Sequence, residues 1–231
     1  MKYAVLALGL LTAGAAAAAD APSALVDPQA QSAYTIGFNL GSTLKRDGVV
    51  IDPQIVAAGM KDGLAAAAPQ LSPEAMRAVF ARLQADVKAR HDAAAVQAAV
   101  TNKAAGAAYL KANGARKGVV TLPSGLQYEI LKAGTGRKPK SDDVVECDYR
   151  GTLLDGTEFD SSYARGKPAT FPVQGVIKGW TEALQLMPEG SKWKLVIPSE
   201  LAYGDEGRGD GIQPNATLVF EVELHDIQAK D

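Results

Sequence analysis

Residues 155–180 read DGTEFDSSYARGKPATFPVQGVIKGW, and the fold is decided there. Asp155-Gly156 is a hairpin dipeptide, since both residues tolerate the left-handed backbone that tight turns require. Phe159-Asp160-Ser161-Ser162 follows that turn, and Val176-Ile177-Lys178-Gly179-Trp180 opens a short helix. On that helix Trp180, Leu184 and Met187 share one face before Pro188-Glu189-Gly190 stops it. Outward from this stretch the period changes to two. Leu126, Tyr128 and Ile130 alternate, as do Val145, Cys147 and Tyr149, then Trp193, Leu195 and Ile197, and finally Leu218, Phe220, Val222 and Leu224. Period-two segments around a single helix predict an α+β domain of antiparallel strands, about 110 residues long.

The first half has a helical period. Tyr34, Phe38 and Leu44 predict a helix over Ala33–Arg46, with residues 20–30 read as loose and Asp47-Gly48 as the stop. Gly37 and Gly41, four apart, permit close helix approach. Asp52-Pro53 restarts the chain, aspartate capping free amides and proline losing no hydrogen bond at the first helical position. Ile55, Val56, Met60 and Leu64 form the buried stripe of this second helix. Ser72-Pro73-Glu74 starts a third, running to Ala112 with Gly106 as its weak point and Asn113-Gly114 as its stop. Met76 with Leu83, and Phe80 with Val87, repeat at seven and supply a seam for a partner. Residues 30–87 thus read as a dimerisation module and 88–115 as a stiff arm; a closed monomeric bundle is the alternative.

Lys2, the apolar run Val5–Leu11 and the small residues Ala17-Ala18-Ala19 predict a signal peptide over residues 1–19. The expected organisation is therefore 1–19 leader, 20–118 helical domain and arm, and 119–231 the α+β domain. Export is expected, to the periplasm or beyond, with no integral membrane segment in the mature chain and no lipid-anchor cysteine at the cleavage site. Cys147, the single cysteine, has no internal disulfide partner and reads as a small core residue. Net charge is only −2, so no nucleic-acid partner is implied.

GTEFDSS, VIKGW, LAYG before a glycine-rich loop, and ATLVFEVEL occur here in an order and spacing that resemble the FKBP-type peptidyl-prolyl isomerases. With YTIGFNLGSTLK, QLSPEAMRA and GVVTLPSGLQYEIL, the chain is similar to the exported two-domain bacterial branch that includes the macrophage infectivity potentiators. The resemblance implies an isomerase domain whose sheet wraps a short helix, preceded by an all-α dimerisation domain with a long connecting helix. Its implied site is Tyr149, Phe159, Asp160, Phe171, Tyr203 and Phe220 as catalytic residues, with Val176, Ile177, Trp180 and Ile212 binding substrate. Trp180 would be the floor for the proline ring; Tyr203 and the Ile177 amide would meet substrate carbonyls; Asp160 would orient Tyr149 or a nearby side chain and place a polar edge against the carbonyl. A turn aspartate capping Ser162 is the other reading of Asp160. Unfolded or proline-containing polypeptides, a homodimer through the N-terminal helices and macrolide inhibitors are the implied partners. No cofactor or metal is implied. A non-catalytic holdase or proline-segment binder stays as the rival function.

Other signals carry less. Gly204–Gly211 lacks the lysine and following helix of a phosphate loop and the spaced acids of a calcium loop, and its Arg-Gly-Asp is a common tripeptide. His91 and His225 are too far apart to suggest a metal pair. His225 reads as solvated, Trp193 as packing, and Arg137–Lys140 as a solvated basic turn.

Overall fold

A computed structural model describes residues 25–209 and 211–228, so the expected leader lies outside the described residues. By packing, the chain divides between Val87 and Lys88 into two compact units.

In the first unit, α1 spans Pro28–Arg46 and α2 Pro53–Leu64. Both begin with the same device. The Asp27 carboxylate accepts from the Ala30 amide at 3.1 Å and Asp52 from the Gln54 amide at 2.8 Å, each with proline in the first turn. Helix α1 therefore starts at Pro28, inside the stretch expected to be loose. Helix α3, Pro73–Gly114, begins where Ser72 Oγ accepts from the Ala75 amide at 3.1 Å, and it crosses from the first unit into the second. Neither α1 nor α2 buries a residue, and Tyr34, Phe38, Ile55 and Phe80 are exposed. At Gly37 and Gly41 an added Cβ would meet nothing within 4 Å among the described residues.

The second unit is a seven-stranded antiparallel sheet wrapped on α4 (Lys178–Leu184). Its strands are β1 (Val119–Thr121), β2 (Gln127–Lys132), β3 (Val144–Thr152), β4 (Glu158–Ser161), β5 (Ala169–Pro172), β6 (Lys192–Ile197) and β7 (Leu218–Gln228). The order is β1-β2-β6-β7-β3-β4, with β5 also paired to β3. The alternating residues of β3, β6 and β7 are buried as their period requires; Leu184 closes the core from α4, and Met187, expected on the same helix, does so from the turn after it. Cys147 is fully buried there, and burial pushes its thiol up to about 12, which makes it inert.

Strand β2 departs from expectation. Gln127 is buried and Ile130 exposed, because β2 receives the end of α3. Gln127 donates to the Leu110 carbonyl at 2.8 Å and accepts from Asn113 at 2.9 Å. Asn102 donates to the Pro214 carbonyl at 2.9 Å, and the buried Gly106 lies where a Cβ would come within 2.3 Å of Thr217 Oγ1. The alanine-rich half of α3 is thus seated on the sheet domain through a few polar and small residues rather than an apolar stripe. Arg137 is more than a solvated turn residue: it pairs with the buried Asp143 at 2.5 Å and donates to the Ile227 carbonyl at 3.2 Å.

Candidate functional site

The site grows from register. On β3, Tyr149 stands opposite Val222 and Gly151 opposite Phe220 of β7, while Gly151 on its other side faces Asp160 of β4. Successive strand residues normally point to opposite faces, which would separate Phe159 from Asp160. The register shifts here: Gly151 pairs with Asp160 and Thr152 with Glu158, so Phe159 is the extra residue of a bulge. Bulges re-aim side chains, and both residues line one cavity. Glycine at 151 is a matter of space, since a Cβ there would lie 2.6 Å from the Phe220 ring and 2.8 Å from that of Phe159.

That cavity has a volume of about 450 Å³. Trp180, 3% exposed at the first turn of α4, forms its floor. Around the indole stand Tyr149, Phe171 and Phe220 with ring centroids at 5.3, 5.7 and 5.3 Å, all edge-on. Phe159 meets Phe220 edge-on at 5.5 Å. Such perpendicular contacts set positive ring edges against negative faces and fix the walls. Val176, Ile177 and Tyr203 complete them. The Ile177 amide, ahead of α4, donates to no group among the described residues, as befits the position before a helix.

The polar edge is a three-residue network. Tyr149 donates its hydroxyl to Asp160 Oδ2 at 2.7 Å, Arg165 Nη1 donates to Asp160 Oδ1 at 2.6 Å, and Arg165 Nη2 donates to the Tyr149 hydroxyl at 2.6 Å. Burial works to raise the Asp160 pKa, but the hydrogen bonds from Tyr149 and Arg165 outweigh it and hold the carboxyl below its ordinary value. Burial, then the Asp160 carboxylate, push the Tyr149 hydroxyl up, so it stays a donor at neutral pH. Ser162 sends its N–H to the Tyr149 carbonyl and its hydroxyl to Asp148 Oδ1, so Asp160 is not its cap. Asp148 also meets His225 Nε2 at 2.9 Å, giving that histidine a partner that the strand pattern did not reveal.

Nine of the ten residues singled out from the sequence line this cavity; Ile212 does not. Its backbone bonds Arg208 in both directions, at 2.7 and 3.2 Å, and the side chain is 5% exposed in the core. Sequence reading missed Arg165, Arg208 and Gly151. Arg165 had a signal, for Gly166 after it adopts φ 70° and ends the short turn Tyr163–Arg165 that returns the guanidinium to Asp160. Arg208 lines the cavity and donates to the Tyr203 hydroxyl at 2.7 Å.

Two family descriptions match the chain. Residues 135–225 match the FKBP-type peptidyl-prolyl cis-trans isomerase, and residues 29–130 match the domain amino terminal to it. Outer membrane protein MIP of Legionella longbeachae is 48% identical over 221 residues, 96% of this chain and 94% of that protein. The FKBP-type isomerase FkpA of Aeromonas hydrophila is 45% identical over 91% of this chain and 81% of its own. The crystal structure of FkpA from Escherichia coli superposes with a TM-score of 0.62 at 40% identity, covering 88% of this chain and 98% of that one. With both halves matched and a relative this similar along nearly the whole length, the chain belongs to the FKBP-type peptidyl-prolyl cis-trans isomerases.

Proposed function

We propose that the chain isomerises X–Pro bonds in exported unfolded or folding polypeptides, within the cavity floored by Trp180. Amide resonance sets a barrier of about 18–20 kcal/mol to this rotation, and proline makes the cis and trans states close in energy. As the bond twists, nitrogen loses conjugation and charge separation falls. A dry aromatic cavity favours that less polar state over the planar amide, and only such differential binding accelerates. The observation that carries this reading is the ring of edge-on aromatics around one indole. In it Phe159, Phe171, Val176 and Phe220 exclude water, while Tyr203 and the unpartnered Ile177 amide receive substrate carbonyls. Asp160 acts by holding Tyr149, with no proton transfer or covalent step.

The wider organisation belongs to the same proposal: residues 1–19 as a cleaved leader, 20–118 as helical domain and arm, 119–231 as isomerase domain, with a periplasmic or otherwise exported product. Among the described residues no helix is long and apolar enough to cross a membrane. A homodimer through α1–α3 is supported by their exposed apolar side chains and by an apolar groove of about 630 Å³ lined by Leu40, Leu44, Val56 and Met60. The same exposed surface supports chaperone activity toward clients, and macrolides of the family's inhibitor class would fill the aromatic cavity.

NMR exchange on a proline peptide tests the central step. Asp160→Ala and Phe171→Ala should each lower kcat/KM about tenfold, a hydrogen bond or ring wall being worth on the order of 1–2 kcal/mol, with unchanged circular dichroism. Full activity in both variants would end the site assignment. Aggregation suppression without isomerisation would leave only the holdase.

A further inference from the structure

The rim of the cavity carries a guanidinium, that of Arg208, beside the Tyr203 hydroxyl. Asp160 is matched from within, its two oxygens taken by Arg165 and Tyr149 at 2.6 and 2.7 Å. Arg208 has no such match. Its guanidinium carbon lies 5.2 Å from the Tyr203 ring centroid and its Nη1 donates to the Tyr203 hydroxyl at 2.7 Å. Among the described residues no carboxylate stands within ion-pair distance of it, and Asp160 acts on it only through space, with both of its oxygens already bonded. Asp205 and Glu206, on the same loop, are exposed and line no part of the cavity.

Held against a ring and tied at one nitrogen, the guanidinium is partly pre-organised, and its other donors stay available in a fork that suits a carboxylate. We propose that Arg208 is a specificity-determining residue, favouring polypeptide segments with an aspartate or glutamate beside the isomerised proline. This rests on the isomerase reading of the cavity. A carboxylate rather than a backbone carbonyl is the matching group, because a charge-assisted, two-pronged contact gains more than a neutral one. A carbonyl contact would also help every peptide equally and give no selectivity.

The test uses the full chain and otherwise identical peptides with Glu, Gln or Lys immediately before or after proline, followed by NMR exchange so that no protease adds its own preference. At low salt, kcat/KM for Glu should exceed that for Lys by about three- to tenfold on at least one side, shrinking toward parity in about 0.5 M salt as screening shortens. Arg208→Ala should bring the ratio to about one, Arg208→Lys should keep only part of it, since an ammonium carries the charge without the fork, and Arg208→Glu should reverse it. A wild-type ratio near one on both sides, or a ratio unmoved by Arg208→Ala and Arg208→Glu, overturns the proposal while the isomerase reading stands. If no peptide is isomerised at all, the cavity reading falls and takes this proposal with it.

Discussion

Phe220 and Phe38 are the same residue in opposite circumstances. Phe220 is 4% exposed, edge-on to both Trp180 and Phe159. Phe38 is 61% exposed, with Tyr34 stacked beside it at 6.1 Å. The C-terminal unit completes its own core and spends its surplus aromatics on a cavity. Helices α1 and α2 keep their apolar side chains outside any core in this chain. An exposed apolar surface on that scale marks an interaction face, and a second copy is the proposed cover.

The strongest blow to that contrast is Phe38→Glu. Placing a charge in the proposed interface should cost on the order of 3 kcal/mol or more, about a hundredfold or more in dimer dissociation, read by sedimentation. Isomerisation of a short peptide should stay within about twofold, since the cavity lies wholly in the other unit. A wild-type chain that sediments as a monomer at micromolar concentration would break the comparison.

Next in size is a paired truncation. Leu195, 1% exposed, is central to the sheet core, and Leu195→Ala should cost about 2–5 kcal/mol in the urea unfolding of the C-terminal unit. Leu40→Ala should leave that transition unmoved and act on self-association alone. Equal effects on the C-terminal transition would mean the two regions do not differ as described.

Glycine gives a finer version. Gly106→Ala drives a methyl against Thr217 and should destabilise the C-terminal unit by about 1–3 kcal/mol. At Gly37 no described residue stands in the way, so alanine there should raise helicity by about 0.5–1 kcal/mol. If a second copy packs over Gly37, the same methyl weakens the dimer. Stronger helix with weaker association in one variant, by circular dichroism and sedimentation, is the expected outcome.

What could be read from the sequence follows the same divide. Strands β3, β6 and β7 and the face of α4 were legible because a closed core enforces strict periods, as Leu218, Phe220, Val222 and Leu224 show. The cavity residues were legible through short motifs that carry them together. The bulge was not, because nothing in Glu158-Phe159-Asp160 says that β4 holds one residue more than its partner. Arg208 was hidden by its glycine neighbours, and Ile212 was misplaced because its backbone pairing with Arg208 turns it into the core. The start of α1 at Asp27-Pro28 needed no new rule. It is the same signal that identified Asp52-Pro53, overlooked beside Pro/Ala/Gln-rich sequence.

The smallest effect is in pH, and it separates the regions by charge. Asp160 is held below its ordinary value of 3.8, burial opposing and the Tyr149 and Arg165 hydrogen bonds prevailing. A carboxyl depressed in the folded state contributes fully above its unfolded pKa, about 3.9, and loses that contribution as pH falls through the lower folded value. Isomerisation should therefore be level from about pH 5 to 8 with respect to this group and decline only below about pH 4, where a neutral Asp160 releases Arg165. Asp160→Asn should start from lower activity and lack that acid decline. The proposed α1–α2 contact is apolar and should keep its sedimentation over the same range. A decline already complete by pH 5 would place the titrating group elsewhere, and loss of dimer in step with loss of activity would mean that the aromatic cavity and the helical face are not independent.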